Sequence, residues 1–159
     1  MDKTITITWS DVFYDARANT WKTGAVMPEE DGSNAERQMD DAGVDSTLAK
    51  RSTLEAIQKL IESVKRFMTG ESGTTTGPTT ISGIVSNSTW TIVCAVSDRN
   101  NATASELSGL AHAIVVAHVC ADWFKMINSN LEKTWYDKME EAELRLRTAL
   151  YKKLPPTLA

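Results

Sequence analysis

Histidine, cysteine and basic charge are all scarce in this sequence, and each shortage narrows what the chain can do. Seventeen lysines and arginines stand against 21 aspartates and glutamates, which leaves a net charge of −4. Surfaces built to neutralise phosphates are basic, so this balance argues against sequence-specific nucleic-acid binding. The two cysteines, Cys94 and Cys120, both sit in apolar runs. Buried free thiols are commoner there than a disulfide, which points to assembly in a reducing cytoplasm. The two histidines, His112 and His118, are six residues apart and fall on different faces of a helix, unlike the i, i+4 pair of a zinc helix. There is no phosphate loop, dinucleotide fingerprint or nucleophile elbow. The start, MDKTITITWSD, lacks a basic-then-apolar pattern, so no secretory leader is expected. The uninterrupted apolar runs fall well short of the roughly 20 residues of a membrane span, and no membrane partner is expected.

What is present reads as one domain over residues 1–159, with 42% apolar and 24% charged residues, enough to bury a core. The organising stretch is Thr103 to Ile127, TASELSGLAHAIVVAHVCADWFKMI. Thr103 and Glu106 form a capping box, after which Leu107, Leu110, Ala111, Ile114, His118, Ala121 and Phe124 recur at helical spacing. Val115, Val116, Val119 and Cys120 make the remaining sides apolar too, so this is a buried central helix. A second capping box, Ser129 with Glu132, opens a last helix that ends before Pro155 and Pro156. Its stripe is Leu131, Trp135, Met139, Ala142, Leu146 and Ala149, and its outer face pairs Glu141 with Arg145 and Glu143 with Arg147. The short connection between these helices makes them antiparallel partners.

Upstream, residues 3–9 alternate as an extended N-terminal arm (1–9) or short strand, followed by a helix from Ser10 to about Lys22. An acidic loop, a short polar helix over 34–42 and a long helix from Asp45 or Ser46 to about Thr69 come next. Leu54, Ile57, Ile61, Val64 and Met68 give that long helix its expected stripe. Residues 70–102 read as an insertion: a Thr/Gly-rich loop (69–80) and a β-hairpin over 80–97, in which Trp90, Ile92, Cys94 and Val96 share a face. The expected fold is therefore mainly α, a bundle of about four to five helices with one inserted β-hairpin and an extended N-terminal arm.

Candidate chemistry is thin. His118 and Asp122 share a helix face, but a metal or acid–base role needs a third ligand or a cleft, and the sequence supplies neither. Asp122 itself, in an apolar helix, must find a hydrogen-bonding partner or emerge at the surface. Asp40, Asp41 and Asp45 do not fit the order of a calcium loop and read as an acidic helix start. No catalytic, metal or cofactor-binding residue is assigned, and no cofactor is expected. The candidate interface residues are Trp9, Trp21 and Trp90, aromatics on elements with little core, for which the alternative is that they cap the edges of the same core; Ile84 and Ile92 of the hairpin; and the charged Glu141, Arg145 and Arg147.

The stretch ADWFKMINSN, followed at once by LEKTWYDKMEEAELRLRTALYKKLPP, resembles the small head–tail connector (neck adaptor) proteins of tailed bacteriophages, and TITWSDVFYDARANTWKTGA resembles proteins of the same group. The resemblance implies a helical bundle with a β-hairpin or long loop, assembled as a homo-oligomeric ring, expected to be a dodecamer, through which DNA passes. It implies a structural virion protein in the neck between capsid and tail, assembled in the host cytoplasm, with portal and tail or neck proteins as partners. The alternatives are a tail-completion or other tail structural protein, a small cytoplasmic protein-binding module, and a small hydrolase or metal enzyme using His118 and Asp122.

Overall fold

The computed structural model describes residues 1–25, 39–40, 43–68, 75–127 and 129–152. Their order is β1 (Asp2–Thr8), α1 (Trp9–Ala25), α2 (Gly43–Val64), a 3-10 turn (Lys65–Phe67), β2 (Thr75–Thr76), a second 3-10 turn (Ile81–Gly83), β3 (Thr89–Ala95), α3 (Ala104–Lys125) and α4 (Ser129–Tyr151). The protein is mainly helical, with one small antiparallel sheet of order β1-β3-β2.

Helix α3 is the central element. The Thr103 hydroxyl accepts the Glu106 amide at 3.0 Å, one half of the expected capping box. From there Leu107, Ala111, Ile114, Val115, His118, Cys120, Ala121 and Phe124 are all buried, and α1, α2, α4 and β1 all pack against this helix. By length and composition alone α3 could cross a membrane, yet 67% of its most apolar window is buried inside this fold. That burial is what an apolar stripe extending round a whole helix demands. Helix α4 lays the expected stripe, Leu131 through Ala149, against the core. Asn100 ties the two ends together: its amide donates to the Ala149 and Leu150 carbonyls at 2.9 and 3.0 Å, satisfying acceptors in the last turn of α4.

The arm is not free. Residues 2–8 form β1, paired along its length with β3, with Ile5 opposite Ile92 and Ile7 opposite Trp90. Ile5 and Ile7 are buried, so the alternation seen in the sequence turns one face of this strand into core. Helix α1 follows at Trp9 with no intervening segment.

The hairpin expected over 80–97 is likewise corrected. Only 89–95 is a strand; residues 81–83 form a 3-10 turn, in which the Gly83 amide donates to the Thr80 carbonyl at 3.1 Å. The short β2 covers the other side of β3 at Thr91 and Ile92. The reason is burial: TISGIVS contributes only Ile84 to the core, whereas β1 contributes Ile5 and Ile7 over seven paired positions. Gly77 allows the chain to pass over Trp90. It has φ +137°, and a side chain there would overlap the Trp90 ring, whose Nε1 donates to the Pro78 carbonyl at 2.8 Å.

On α2 the buried face is Ala49, Ser52, Thr53, Ala56, Ile57, Leu60 and Val64, while Leu54, Ile61 and Met68 of the expected stripe are only partly buried. Ile57 and Val64 of the expected stripe are thus buried together with the small Ala49, Ser52, Thr53 and Ala56, a face turned partly away from the one its aliphatics marked. The helix expected over 34–42 lies almost wholly outside the described residues.

Candidate functional site

Where α2, α3 and α4 meet, five polar side chains converge. Ser52 and Glu55, three apart on α2, face His118 and Asp122, four apart on α3. Tyr136 reaches in from α4. The Ser52 hydroxyl donates to Asp122 Oδ2 at 2.5 Å and lies 3.2 Å from His118 Nδ1. A hydroxyl has one proton, so with Asp122 accepting it, the histidine is the donor at Nδ1. Tyr136 donates to the other carboxylate oxygen, Oδ1, at 3.3 Å. Asp122 thus meets the requirement its apolar helix imposes: it has hydrogen-bonding partners.

Burial holds His118 below the usual histidine range; Asp122 pulls it back up, Lys59 pushes it further down, and Glu55 raises it slightly. Burial first, and then the Asp122 carboxylate, push the Tyr136 hydroxyl above its ordinary value. Burial alone raises the Cys94 thiol to about 11; Cys120 is raised further, by burial first, with Lys138 lowering and Asp15 raising it, so both stay protonated and inert. Both cysteines are free, as their apolar settings led us to expect.

Beside the cluster, between α2 and the end of α3, a cavity of about 260 Å³ is lined by Ser52, Glu55, Val119, Asp122, Trp123 and Met126, among others. Glu55 is exposed at its edge, whereas His118 is 1% exposed. His112 faces elsewhere, as its spacing from His118 required. Its Nε2 lies 2.5 Å from Asp15 of α1.

As chemistry, the arrangement is a satisfied polar network more than a nucleophile poised to react. The proton of Ser52 is committed to Asp122, and Ser52 sits mid-helix, where backbone amides are engaged in helical hydrogen bonds. Removing the hydroxyl that joins the two side chains should be costly: Ser52→Ala is expected to lose about 1–3 kcal/mol, read from urea denaturation. A loss below a few tenths would show that the network contributes little.

The candidate interface residues divide sharply. Trp9, Ile84, Trp90 and Ile92 are 5%, 3%, 4% and 0% exposed and belong to the core of this chain. For Trp9 and Trp90 this is the second of the two readings, packing within the chain's own core, and Ile84 and Ile92 are buried with them. Trp9 stacks on Phe13 at 4.9 Å, and Trp90 and Ile92 pack on the core beside β1. Trp21 remains 47% exposed. Glu141 and Arg145 stay on the surface and bond each other at 2.7 Å. Arg147 reaches Glu143 at 3.5 Å and Ser63 of α2 at 3.3 Å. Sequence reasoning passed over Ser52, Glu55 and Tyr136; the i, i+3 placement of Ser52 and Glu55 on one helix face was the available signal. Compared with known proteins, the chain matches no family model, no curated protein and no solved structure.

Proposed function

We propose that this chain is a structural virion protein, a head–tail connector subunit that assembles into a homo-oligomeric ring between portal and tail. The observation that carries the reading is the outward face of α1. Tyr14 and Trp21 are seven residues apart, which places them on one side of the helix, and they are 73% and 47% exposed. Large aromatics left in solvent on a shared face are the residue types enriched at protein interfaces. The outer face of α4 adds charge of both signs around Leu144, itself 65% exposed. The α3–α4 pair is also the segment whose sequence resembles connectors, and an acidic chain suits a ring that DNA traverses without sticking.

The test is the mass of the purified chain under native conditions, alone and with a portal ring. A closed ring or a portal-bound ring supports the proposal; a monomer at all concentrations, with or without a portal, overturns it. A small dimer binding neither portal nor tail components would favour the binding-module reading. Within this proposal, the charged face of α4 makes a minor contribution. Its ion pairs are solvated, and such pairs contribute about 0–1 kcal/mol each. The double variant Arg145→Glu, Arg147→Glu should therefore weaken assembly only modestly, while Trp21→Ser should weaken it more. The reverse order, measured by sedimentation, would move the interface from α1 to α4.

A further inference from the structure

The geometry points to a divalent-metal site formed by Glu55, His118 and Asp122, which would clamp α2 onto α3. The three residues each offer a ligand atom, and these atoms lie within 4.8 Å of one another. One pair already has a coordination spacing: His118 Nδ1 and Asp122 Oδ2 are 3.4 Å apart. Two donors on one tetrahedral ion with bonds near 2.0 Å are separated by about 3.3 Å, so an ion needs little movement of this pair. Glu55 closes the remaining gap from α2. It is exposed, and its flexible side chain can move by an ångström or more without disturbing packing. Imidazole with two carboxylates is a donor set suited to Zn²⁺ and its first-row neighbours.

Two further features are those of a built site. Tyr136 holds Asp122 Oδ1, which fixes the carboxylate plane and leaves Oδ2 directed at Ser52 and His118. The adjoining cavity is lined by Ser52, Glu55 and Asp122 and gives an ion a path from solvent and room for a bound water. Ser52 Oγ, in contact with both His118 and Asp122, fills the space beside this pair and is displaced when an ion binds there. On binding, the histidine takes the tautomer with its proton on Nε2, freeing Nδ1 for the metal. This inference is independent of the connector reading, since it concerns how two helices of one chain are held together.

The experiment is calorimetric titration of tag-free, chelator-treated protein with Zn²⁺, together with thermal denaturation with and without the ion. The expected result is one equivalent bound and a raised Tm. Glu55→Gln, at an exposed position that leaves the fold intact by circular dichroism, should weaken binding at least tenfold and abolish the Tm shift. Glu106→Gln, remote on the first turn of α3, should change neither. Co²⁺ should give the visible absorption of a tetrahedral site in the parent, and lose it in Glu55→Gln. Absence of binding in the parent overturns the proposal. So does unchanged binding in Glu55→Gln, which would indicate an adventitious surface ion.

Discussion

Phe124→Ala should cost the fold about 3–5 kcal/mol, the range for emptying a buried aromatic position. Phe124 is the bulkiest of the fully buried side chains, at 0% exposure on the last turn of α3. Its loss removes apolar contact where the central helix is enclosed on several sides, and a cavity there cannot collapse without moving a helix. Total stability of a domain this size is about 5–15 kcal/mol, so the variant should sit close to unfolding at 37 °C or cross it. Urea denaturation followed by tryptophan fluorescence reads the effect. Leu144→Ala on the exposed side of α4 is the contrast, with an expected change within about 0.5 kcal/mol. If Phe124→Ala lay within about 1 kcal/mol of the parent, the position of α3 as the centre of the core would be wrong.

The second large effect concerns β1. Deleting residues 1–9 should abolish cooperative folding, and Ile5→Ala alone should cost about 2–5 kcal/mol. Ile5 lies opposite Ile92 and Ile7 opposite Trp90, all four buried, so removal of the strand takes two core side chains away and leaves that edge of β3 unpaired. Circular dichroism and a thermal melt decide it. This result changes the meaning of an arm deletion. In an extended arm reaching a neighbour, loss of residues 1–9 would weaken assembly while the monomer stayed folded. With the arm inside the sheet, failure to assemble follows from failure to fold, and only surface substitutions such as Trp21→Ser test the interface. A truncated chain that melts like the parent would restore the arm as an assembly element.

What the sequence by itself determined is local. The apolar encirclement of Thr103–Ile127, the stripe from Leu131 to Ala149 and the Thr103 cap all depend on residues within four or so of one another. The same holds for the pairs Glu141–Arg145 and Glu143–Arg147, one helical turn apart. The tertiary structure alone decided which strand meets which. The alternation in 3–9 and in 89–95 is equally compatible with a local hairpin, a free arm or a partner's sheet. Pairing residues some ninety apart is set by the total surface buried, which no window of sequence contains. It also decided how α2 turns: of its legible aliphatic stripe Ile57 and Val64 are buried and Leu54 and Ile61 only partly, while Ala49, Ser52, Ala56 and Leu60 complete the buried face. The candidate site follows from that turn. His118 and Asp122 were visible as a pair on one helix, yet whether they had company depended on the rotation of a helix far away in the chain, and that rotation brings Ser52 and Glu55 to them.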